Sequence, residues 1–473
     1  MLRRGLVLLV ALSFVACQFD SGDNDFSIRV PNPTPSSSKT RIIGLVGSMT
    51  GPDSWRGDDA FEGADLAVHV LNRDLKRNEP MYELVTLDDQ GDPSRATELV
   101  QELAASDRTV GIVYAGPPQG LPGAEQALAE GGVPAVICYG DLYGARLLTP
   151  HVFQAAPSLL WEARRIADYL LTDRGYRRIG LISEKDLTGE TARRSLTLAL
   201  QEEGGQLVAS ETFTSDLDNT SSLIEKLRGK RVQAVVVNAP PPVAVKIFRS
   251  FRLGGARYRN TARALRSSSL RNTWAPQVVG FDLTITPDLV AVDLPAGTVA
   301  ADTYARGAHY LPIPNFERFR SAFEDWWGAQ PLGWERRAYD AAAMIGWAAR
   351  KAAAQDRVAG TDLAPFLEKM SGVRFAGLEV TFGPDDHTAV DQSTVGLWVV
   401  PDRRVPVEER VYLPTSLPWV PLARGFSIDG ERTDVLPRDW EWLFRNAPPK
   451  DAPAPRITRS RFGVTTSRRD PVH

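Results

Sequence analysis

The chain has 473 residues, of which 43% are hydrophobic and 24% are charged, and its formal net charge is −3 at pH 7. This composition is ordinary for a globular protein with a real core, and the length allows two or three domains. The charge is near zero and no basic stripe is present, so no nucleic-acid partner is expected.

The first segment has the pattern of an export signal. Two arginines precede an apolar run, 5–16, that is too short to cross a bilayer. The run ends in Phe14-Val-Ala-Cys17, which resembles the processing site of a bacterial lipoprotein. The resemblance implies a signal peptide over residues 1–16 and a lipid on Cys17 that anchors the protein to a membrane. A secretory signal with an incidental cysteine, or a retained membrane anchor, remains the alternative.

Residues 17–40 are predicted to form a flexible tether. They are rich in Asp, Pro and Ser and have too little apolar surface to fold. The second cysteine of the chain is Cys138. If Cys17 is lipidated, no intramolecular disulfide can form. Val136-Ile137-Cys138 reads as a strand in the core, where the thiol would be buried and inert.

The segment from Arg41 to Asn72 predicts a strand, a turn and a helix. The apolar run 42–46 is typical of a strand that is covered on both faces. Thr50-Gly51-Pro52 forces a turn, because Gly tolerates positive φ and Pro fixes its own φ. Apolar residues then recur at helical spacing, namely Phe61, Ala64, Val68 and Leu71.

The same alternation of strand and helix continues along the chain in two series. The first series has further strands predicted at 82–87, 110–115 and 134–138, and the second has strands at 179–183, 207–210, 234–238 and 278–281. Such alternation favours parallel sheets with helices on both faces. Two series of similar size predict two lobes with a cleft between them.

Several of these segments resemble one protein family. The matching motifs are Gly44-Leu-Val-Gly47, Thr50-Gly51-Pro52, Leu87-Asp-Asp-Gln-Gly-Asp-Pro93 and Tyr339-Asp-Ala341. Over about residues 41–400 the chain resembles the type I periplasmic solute-binding proteins, the leucine/isoleucine/valine-binding family. The resemblance implies an α/β fold with two doubly wound parallel-sheet lobes, a hinge and an interlobe cleft.

The resemblance also implies the domain boundaries. Lobe 1 is predicted to comprise 41–157 and 305–375, lobe 2 to comprise 158–304 and 376–400, and an irregular C-terminal extension to occupy 401–473 and end in disorder. Three tryptophans, Trp419, Trp440 and Trp442, predict that part of this extension packs onto the body. The basic, Ser-rich stretch 258–274 departs from the family and is either a solvated surface loop or a partner site.

Candidate ligand-binding residues follow from the resemblance by position. They lie after the first strand, the third and fourth strands, and the strands of lobe 2: Trp55, Arg56, Pro118, Gln119, Tyr139, Gly140, Asp141, Thr188, Ala239 and Asp282. The family pairs a ligand ammonium with an acid at the position of Asp282, although a strand-end or helix-capping role is equally open for this residue. Pro118 stands where the family places a serine, and Asp141 would repel a ligand carboxylate unless it is paired.

Arg56 has alternative roles. It could neutralise Asp141, take an anionic group of the ligand, or remain solvated, whereas Trp55 could cover an apolar or ring-bearing ligand.

No pattern of catalytic residues is present, so an enzyme is not expected. The five histidines are not spaced as metal ligands, and the sequence has no GxSxG, P-loop or CxxC motif. Asp88 and Asp89 are interpreted as structural. The resemblance implies a lipid-anchored extracytoplasmic receptor of an ABC-type importer. It would have no cofactor, would bind a branched-chain amino acid or amide by lobe closure, and would dock on a membrane permease. The alternative is an envelope interaction or regulatory lipoprotein without a small ligand.

Overall fold

The computed structural model describes residues 40–51, 53–75, 79–139, 150–214, 220–253, 274, 276–282, 299–303, 314–328, 331, 335–355, 362–376, 379–389, 395–399, 420–421, 456–459 and 465–468. In these ranges the chain forms two mainly parallel sheets with helices packed on their faces. None of the described helices is both long enough and apolar enough to cross a lipid bilayer.

The first sheet is built from the N-terminal part of the described chain. Its strands are β1 (Arg41–Gly47), β2 (Tyr82–Asp88), β3 (Thr109–Ala115), β4 (Ala135–Ile137) and β5 (Val152–Gln154). They lie in the order β2-β1-β3-β4-β5, and all neighbours are parallel. Because β1 is an interior strand, Ile43, Leu45 and Val46 are fully buried, as its apolar run predicts.

Three helices connect these strands: α1 (Ser54–Arg73), α2 (Pro93–Ala104) and α3 (Glu125–Gly131). Helix α2 begins after Asp92, whose carboxylate accepts from the backbone N–H groups of Ser94 and Arg95, with Pro93 in the first turn. Helix α3 ends at Gly132, which has φ +62°.

The second sheet follows in the chain. Its first elements are α4 (Leu159–Asp168), which continues as a π-helical turn, β6 (Arg178–Glu184), α5 (Leu187–Glu202), β7 (Gln206–Phe213), α6 (Ser221–Gly229), β8 (Ala234–Asn238), α7 (Pro241–Leu253) and β9 (Gln277–Gly280). The four strands are parallel and lie in the order β9-β8-β6-β7. The two predicted series of strands and helices are therefore confirmed.

The remaining elements return to both sheets. They are β10 (Val299–Thr303), α8 (Pro314–Trp327), α9 (Glu335–Ala353), α10 (Ala364–Leu367), β11 (Val373–Arg374), β12 (Glu379–Val380), β13 (Val395–Val399), β14 (Val420–Pro421), β15 (Arg456–Arg459) and β16 (Thr465–Arg468). Strand β10 is parallel to β9, and β13 and β14 extend this edge in antiparallel fashion. Helix α9 packs on the first sheet, where Ile345 fills the space over Gly111.

The segment predicted to belong to lobe 2, 376–400, is divided between the two sheets. Lobe 2 was predicted to contain 376–400, and β13 does lie in the second sheet. Residues 379–389, in contrast, lie beside the first sheet, because Gln154 of β5 hydrogen-bonds the backbone of His387 and Ala389. Chain boundaries between lobes depend on such local pairings, which periodicity does not encode.

Parts of the predicted extension and insertion are also described. Strand β14 joins the second sheet, and β15 pairs with β16 in the segment that composition predicted to be disordered. Trp274, at the end of the predicted insertion, donates from Nε1 to the carbonyl of Val232. The remainder of the insertion, 258–273, and the three tail tryptophans lie outside the described residues.

Close approach of α1 and α9 gives a first testable prediction. A Cβ at Gly63 of α1 would lie 1.8 Å from the carbonyl oxygen of Glu335 in α9. We expect Gly63→Ala to lower the free energy of unfolding by about 1–3 kcal/mol, because the two helix backbones must separate. Chemical denaturation measures this change. The control is Gly229→Ala in α6, where a Cβ meets no atom within 4 Å and the helix should gain slightly. Equal stabilities of the two variants would contradict the packing.

Candidate functional site

The carboxyl edges of the two sheets face one another, and side chains of the described residues join them. Gln119, after β3, donates from Nε2 to Asp186 Oδ2, after β6, at 3.4 Å. Leu187, the first residue of α5, packs on the apolar cluster around β3 and β4. Strand ends at such an edge are where ligands bind in open α/β sheets. We call the region between the two edges the interlobe cleft.

Asp88, at the end of β2, anchors the loop between β1 and α1. Its Oδ1 accepts from the backbone N–H groups of Met49, Thr50 and Gln90, at 2.9, 3.3 and 2.9 Å. Its Oδ2 accepts from the Thr50 hydroxyl at 2.7 Å. The carboxylate of Asp88 therefore fixes the backbone of the loop that leads into Trp55 at Met49 and Thr50.

Asp89 is buried beneath the same loop. Its Oδ1 accepts from the Ser48 hydroxyl and from the backbone N–H of Gly91, both at 2.8 Å. Its Oδ2 faces Gly116, where a Cβ would approach to 2.2 Å. Burial raises the pKa of Asp89, against the hydrogen bonds from Gly91 and Ser48. These contacts confirm the structural interpretation of both aspartates.

Trp55, Arg56 and Tyr139 come together on the first-sheet side of the cleft. The rings of Trp55 and Tyr139 meet edge to face, with their centroids 6.0 Å apart. The guanidinium of Arg56 lies over the Trp55 ring at 5.2 Å, a cation–π contact. Tyr139 is buried, and Trp55 is partly buried. We call these two rings, Trp55 at the start of α1 and Tyr139 just after β4, the aromatic wall.

Pro118 and Gln119 lie in a short 3-10 turn, Pro118–Gly120, in which Pro118 is buried. Gln119 makes the contact across the cleft with Asp186, so it is a junction residue in this arrangement. Gly140 and Asp141 lie outside the described residues, and their predicted roles stay predictions.

Cys138 follows β4 directly and is fully buried, which confirms the prediction for this thiol. Its Sγ lies 3.2 Å from the carbonyl oxygen of Tyr114. Burial raises the pKa of the thiol to about 12, although the nearby charge of Arg337 acts to lower it. A thiol in this state is not a nucleophile at neutral pH.

Asp282, two residues beyond β9, is the acid that the resemblance places at a ligand ammonium. It is buried, with 5% of its surface exposed. Its Oδ2 accepts from Nη1 of Arg337 at 2.8 Å, and its backbone N–H donates to Glu162 Oε2 at 2.8 Å. The carboxylate therefore already has a cationic partner within the protein. That partner, Arg337, lies in α9, the helix that packs on the first sheet.

Arg337 was not among the predicted site residues. It lies in the first turn of α9, is 2% exposed, and its Nη1 forms a salt bridge with Asp282 Oδ2 at 2.8 Å. The neighbouring Arg336 pairs within the helix with Asp340 at 3.1 Å. The signal in the sequence was the pair of arginines just before the Tyr339-Asp340 motif, where a helix that faces a sheet would otherwise be apolar.

On the second-sheet side, polar side chains end two neighbouring strands. Ser183 of β6 and Asn238 of β8 are register partners, so their side chains lie on the same face of the sheet. They are 1% and 2% exposed. Asn238 Nδ2 donates to the carbonyl of Thr188 at 3.4 Å, and Ala239 is buried beside it. Neither Ser183 Oγ nor Asn238 Oδ1 has a hydrogen-bond partner among the described residues.

These two atoms indicate where a ligand would be hydrogen-bonded. A buried polar atom without a partner costs free energy, so such atoms in a native protein require an explanation. Thr188 and Ala239 were predicted at this edge. Ser183 was predicted only as part of a strand, and its signal was a hydroxyl at the end of an apolar run.

Glu184, which follows Ser183, gives a prediction of pH dependence. Its pKa is raised from 4.5 to about 7, mainly by burial and then by the charge of Asp186, while Arg56 opposes the shift. Because the folded-state value is the higher one, protonation stabilises the fold. This contribution is complete below the unfolded value and is lost as the pH rises through about 7. We expect Glu184→Gln to flatten the fall of melting temperature over this interval, measured by scanning calorimetry.

The control for this measurement is Glu203→Gln, an exposed glutamate that follows α5. It should keep the wild-type pH dependence. If Glu184→Gln kept the wild-type fall of melting temperature with pH, the raised pKa of Glu184 would be contradicted.

Sequence comparisons agree with this architecture. Residues 42–400 match the sequence profile of the family described as periplasmic binding protein. The chain is 24% identical over 230 residues to the Leu/Ile/Val-binding protein of Escherichia coli K12, which covers 45% of this chain and 58% of that protein. It is 26% identical over 197 residues to the Leu/Ile/Val-binding protein homolog 3 of Brucella melitensis, which covers 41% and 52%. The chain thus spans between half and three fifths of these relatives.

Solved structures show the same fold. A type 1 periplasmic binding protein from Bordetella pertussis superimposes with a TM-score of 0.65 at 19% identity, over 78% of this chain and 98% of that one. The substrate-binding protein of a Streptococcus pneumoniae branched-chain amino acid transporter, in complex with isoleucine, gives 0.60 at 18% identity, over 76% and 96%. A solute-binding protein of Rhodopseudomonas palustris, in complex with 4-hydroxybenzoate, gives 0.63 at 17%, over 77% and 94%.

The profile match extends over most of the chain, and the two-sheet architecture is that of type I periplasmic binding proteins. Both the predicted family and the predicted fold class are therefore confirmed. The chain belongs to the periplasmic binding protein family.

Proposed function

We propose that this protein is an extracytoplasmic solute-binding receptor of an ABC-type importer. The observation that carries the proposal is the pair of buried, unpartnered atoms, Ser183 Oγ and Asn238 Oδ1, at the carboxyl edge of the second sheet. They lie on the cleft side, and the aromatic wall of Trp55 and Tyr139 belongs to the facing sheet. A solute between the edges would supply the missing hydrogen bonds and cover the exposed part of the Trp55 ring.

Lobe closure is the proposed mechanism of capture. A solute that contacts both edges binds the closed arrangement better than an open one, and it shifts the balance only by that difference in affinity. The closed protein then docks on a permease in the membrane. A lipid on Cys17 and a tether over 17–40 would keep the receptor beside that permease. The names of the relatives support a role in transport of branched-chain amino acids or similar solutes.

A solute screen tests this proposal. We expect at least one compound among aliphatic amino acids, their amides, and aromatic or aliphatic carboxylates to raise the melting temperature of the purified protein. Asn238→Leu should weaken binding of that compound by about tenfold or more, because the solute then faces a leucine in place of a hydrogen-bonding group. Isothermal titration calorimetry measures the loss.

The matched control is Gln201→Leu, an exposed amide at the end of α5 in the same lobe. It should bind the solute as the wild type does. If Asn238→Leu retained full affinity while the solute still bound, the site would lie elsewhere.

The second candidate function is an envelope interaction or regulatory lipoprotein with no small ligand. The contacts that favour it are those by which the protein's own side chains join the two edges, Arg337 with Asp282 and Gln119 with Asp186. This candidate predicts no thermal shift with any solute. It also predicts cross-linking to one envelope protein that is lost when residues 401–473 are deleted.

A further inference from the structure

We infer that the interlobe cleft takes a solute without an α-ammonium group, such as an aromatic or aliphatic carboxylate. The guanidinium of Arg337 occupies the place on Asp282 where the family resemblance puts a ligand ammonium. This inference rests on the proposed solute-binding function and names the class of solute for the same site.

Asp282 is already engaged in a salt bridge with Arg337. Its carboxylate and the guanidinium of Arg337 are both almost fully buried, and their atoms approach to 2.8 Å. A charge-assisted hydrogen bond at this distance is a strong contact. A ligand ammonium at Asp282 would either share the carboxylate with the guanidinium of Arg337 or displace that guanidinium from its contact at 2.8 Å. If Arg337 stayed in place, the two cations would repel one another.

The charge of Arg337 acts on two residues that follow β4, Cys138 and Tyr139. It lowers the pKa of both Cys138 and Tyr139, although burial raises both values overall. Asp59 and Glu335 act on Tyr139 in the opposite direction. Helix α9, which carries Arg337 in its first turn, also packs against β4, and the end of β4 is the edge at which the resemblance places a ligand carboxylate.

Further side chains at the two edges would contact the body of the solute. Trp55 and Tyr139 offer an aromatic edge-to-face pair, and Ser183 and Asn238 offer hydrogen-bonding atoms from the other sheet. An apolar or ring-bearing acid with a second polar group meets all of these features. A zwitterionic amino acid would also bring an ammonium group, and the acid that would balance it, Asp282, is already paired with Arg337.

Pairs of solutes that differ only in the ammonium group test the inference on the wild-type protein. The probes are leucine against 4-methylpentanoate, and tyrosine against 3-(4-hydroxyphenyl)propanoate, by isothermal titration calorimetry. We expect the acid without the ammonium to bind at least about tenfold more tightly in the better pair. Tighter binding of the amino acid would overturn the inference and would still support the receptor. If no acid and no amino acid bound, including those of the wider screen, the proposed function would fail together with it.

A variant gives the reciprocal test. Arg337→Ala leaves Asp282 with an open cation-binding position, so leucine should bind this variant at least about tenfold more tightly than it binds the wild type. Wild-type affinity for leucine in a folded Arg337→Ala protein would contradict the role of Arg337. The wild-type comparison decides the inference by itself if this variant does not fold.

Discussion

Arg337→Met is expected to lower the free energy of unfolding by about 3–5 kcal/mol, because it removes the guanidinium that pairs with the buried carboxylate of Asp282 at 2.8 Å. Methionine keeps an apolar stem at this buried position, so the loss reports the charge more than the volume. The double variant Arg337→Met/Asp282→Asn should recover most of the stability, since it removes both charges together. Urea denaturation of the four proteins in the cycle measures the coupling between the two residues.

The control for this cycle is Arg164→Met. Arg164 forms a bidentate pair with Glu202, but both side chains are substantially exposed. Exposed pairs contribute about 0–1 kcal/mol, so this variant should change little. A small effect of Arg337→Met, or a double variant no more stable than the single one, would contradict a stabilising salt bridge between Arg337 and Asp282.

Asp88→Ala is the second substitution with a large expected effect. The carboxylate of Asp88 accepts four hydrogen bonds, three from backbone N–H groups and one from Thr50. Its removal leaves buried or partly buried donors of the β1–α1 loop unsatisfied, at about 1–3 kcal/mol for each buried group. We expect a loss of at least about 3 kcal/mol in stability, together with loss of solute binding, because the loop carries Trp55 and Arg56.

Asp92→Ala is the matched control, four residues further along the same motif. Asp92 caps α2 from an exposed position, so its loss should cost about 1 kcal/mol and leave solute affinity unchanged. Denaturation and calorimetry on the two variants separate the roles. Asp88→Ala with wild-type affinity would contradict the view that this loop positions the aromatic wall.

Much of the fold was predictable because its strands and helices follow from local patterns in the sequence. Apolar runs of strand length alternate with helical periodicity, and strands such as 234–238 lie where the pattern placed them. The boundary of the last crossing was harder to predict. Residues 379–389 lie by β5 because of backbone pairing with Gln154, a contact between distant segments that no local pattern records.

The site was predictable only in part. Trp55 and Tyr139 were predicted separately, one after the first strand and one after the fourth, and their rings meet in the structure because loops at the carboxyl edge of one sheet converge. Asp282 was predicted to face the cleft; it is buried, and its partner Arg337 was not foreseen. The contact with Arg337 joins α9 on one sheet to the end of β9 on the other, and its existence depends on how the two sheets are docked.

The central claim is that a solute lies between the carboxyl edges of the two sheets. The most direct measurement is a crystal structure of the protein with the solute that gives the largest thermal shift. The account predicts solute density between Trp55 and Asn238, hydrogen-bonded to Ser183 or Asn238, with the guanidinium of Arg337 still on Asp282. Density for that solute outside the cleft, or an ammonium in place of Arg337 on Asp282, would contradict it.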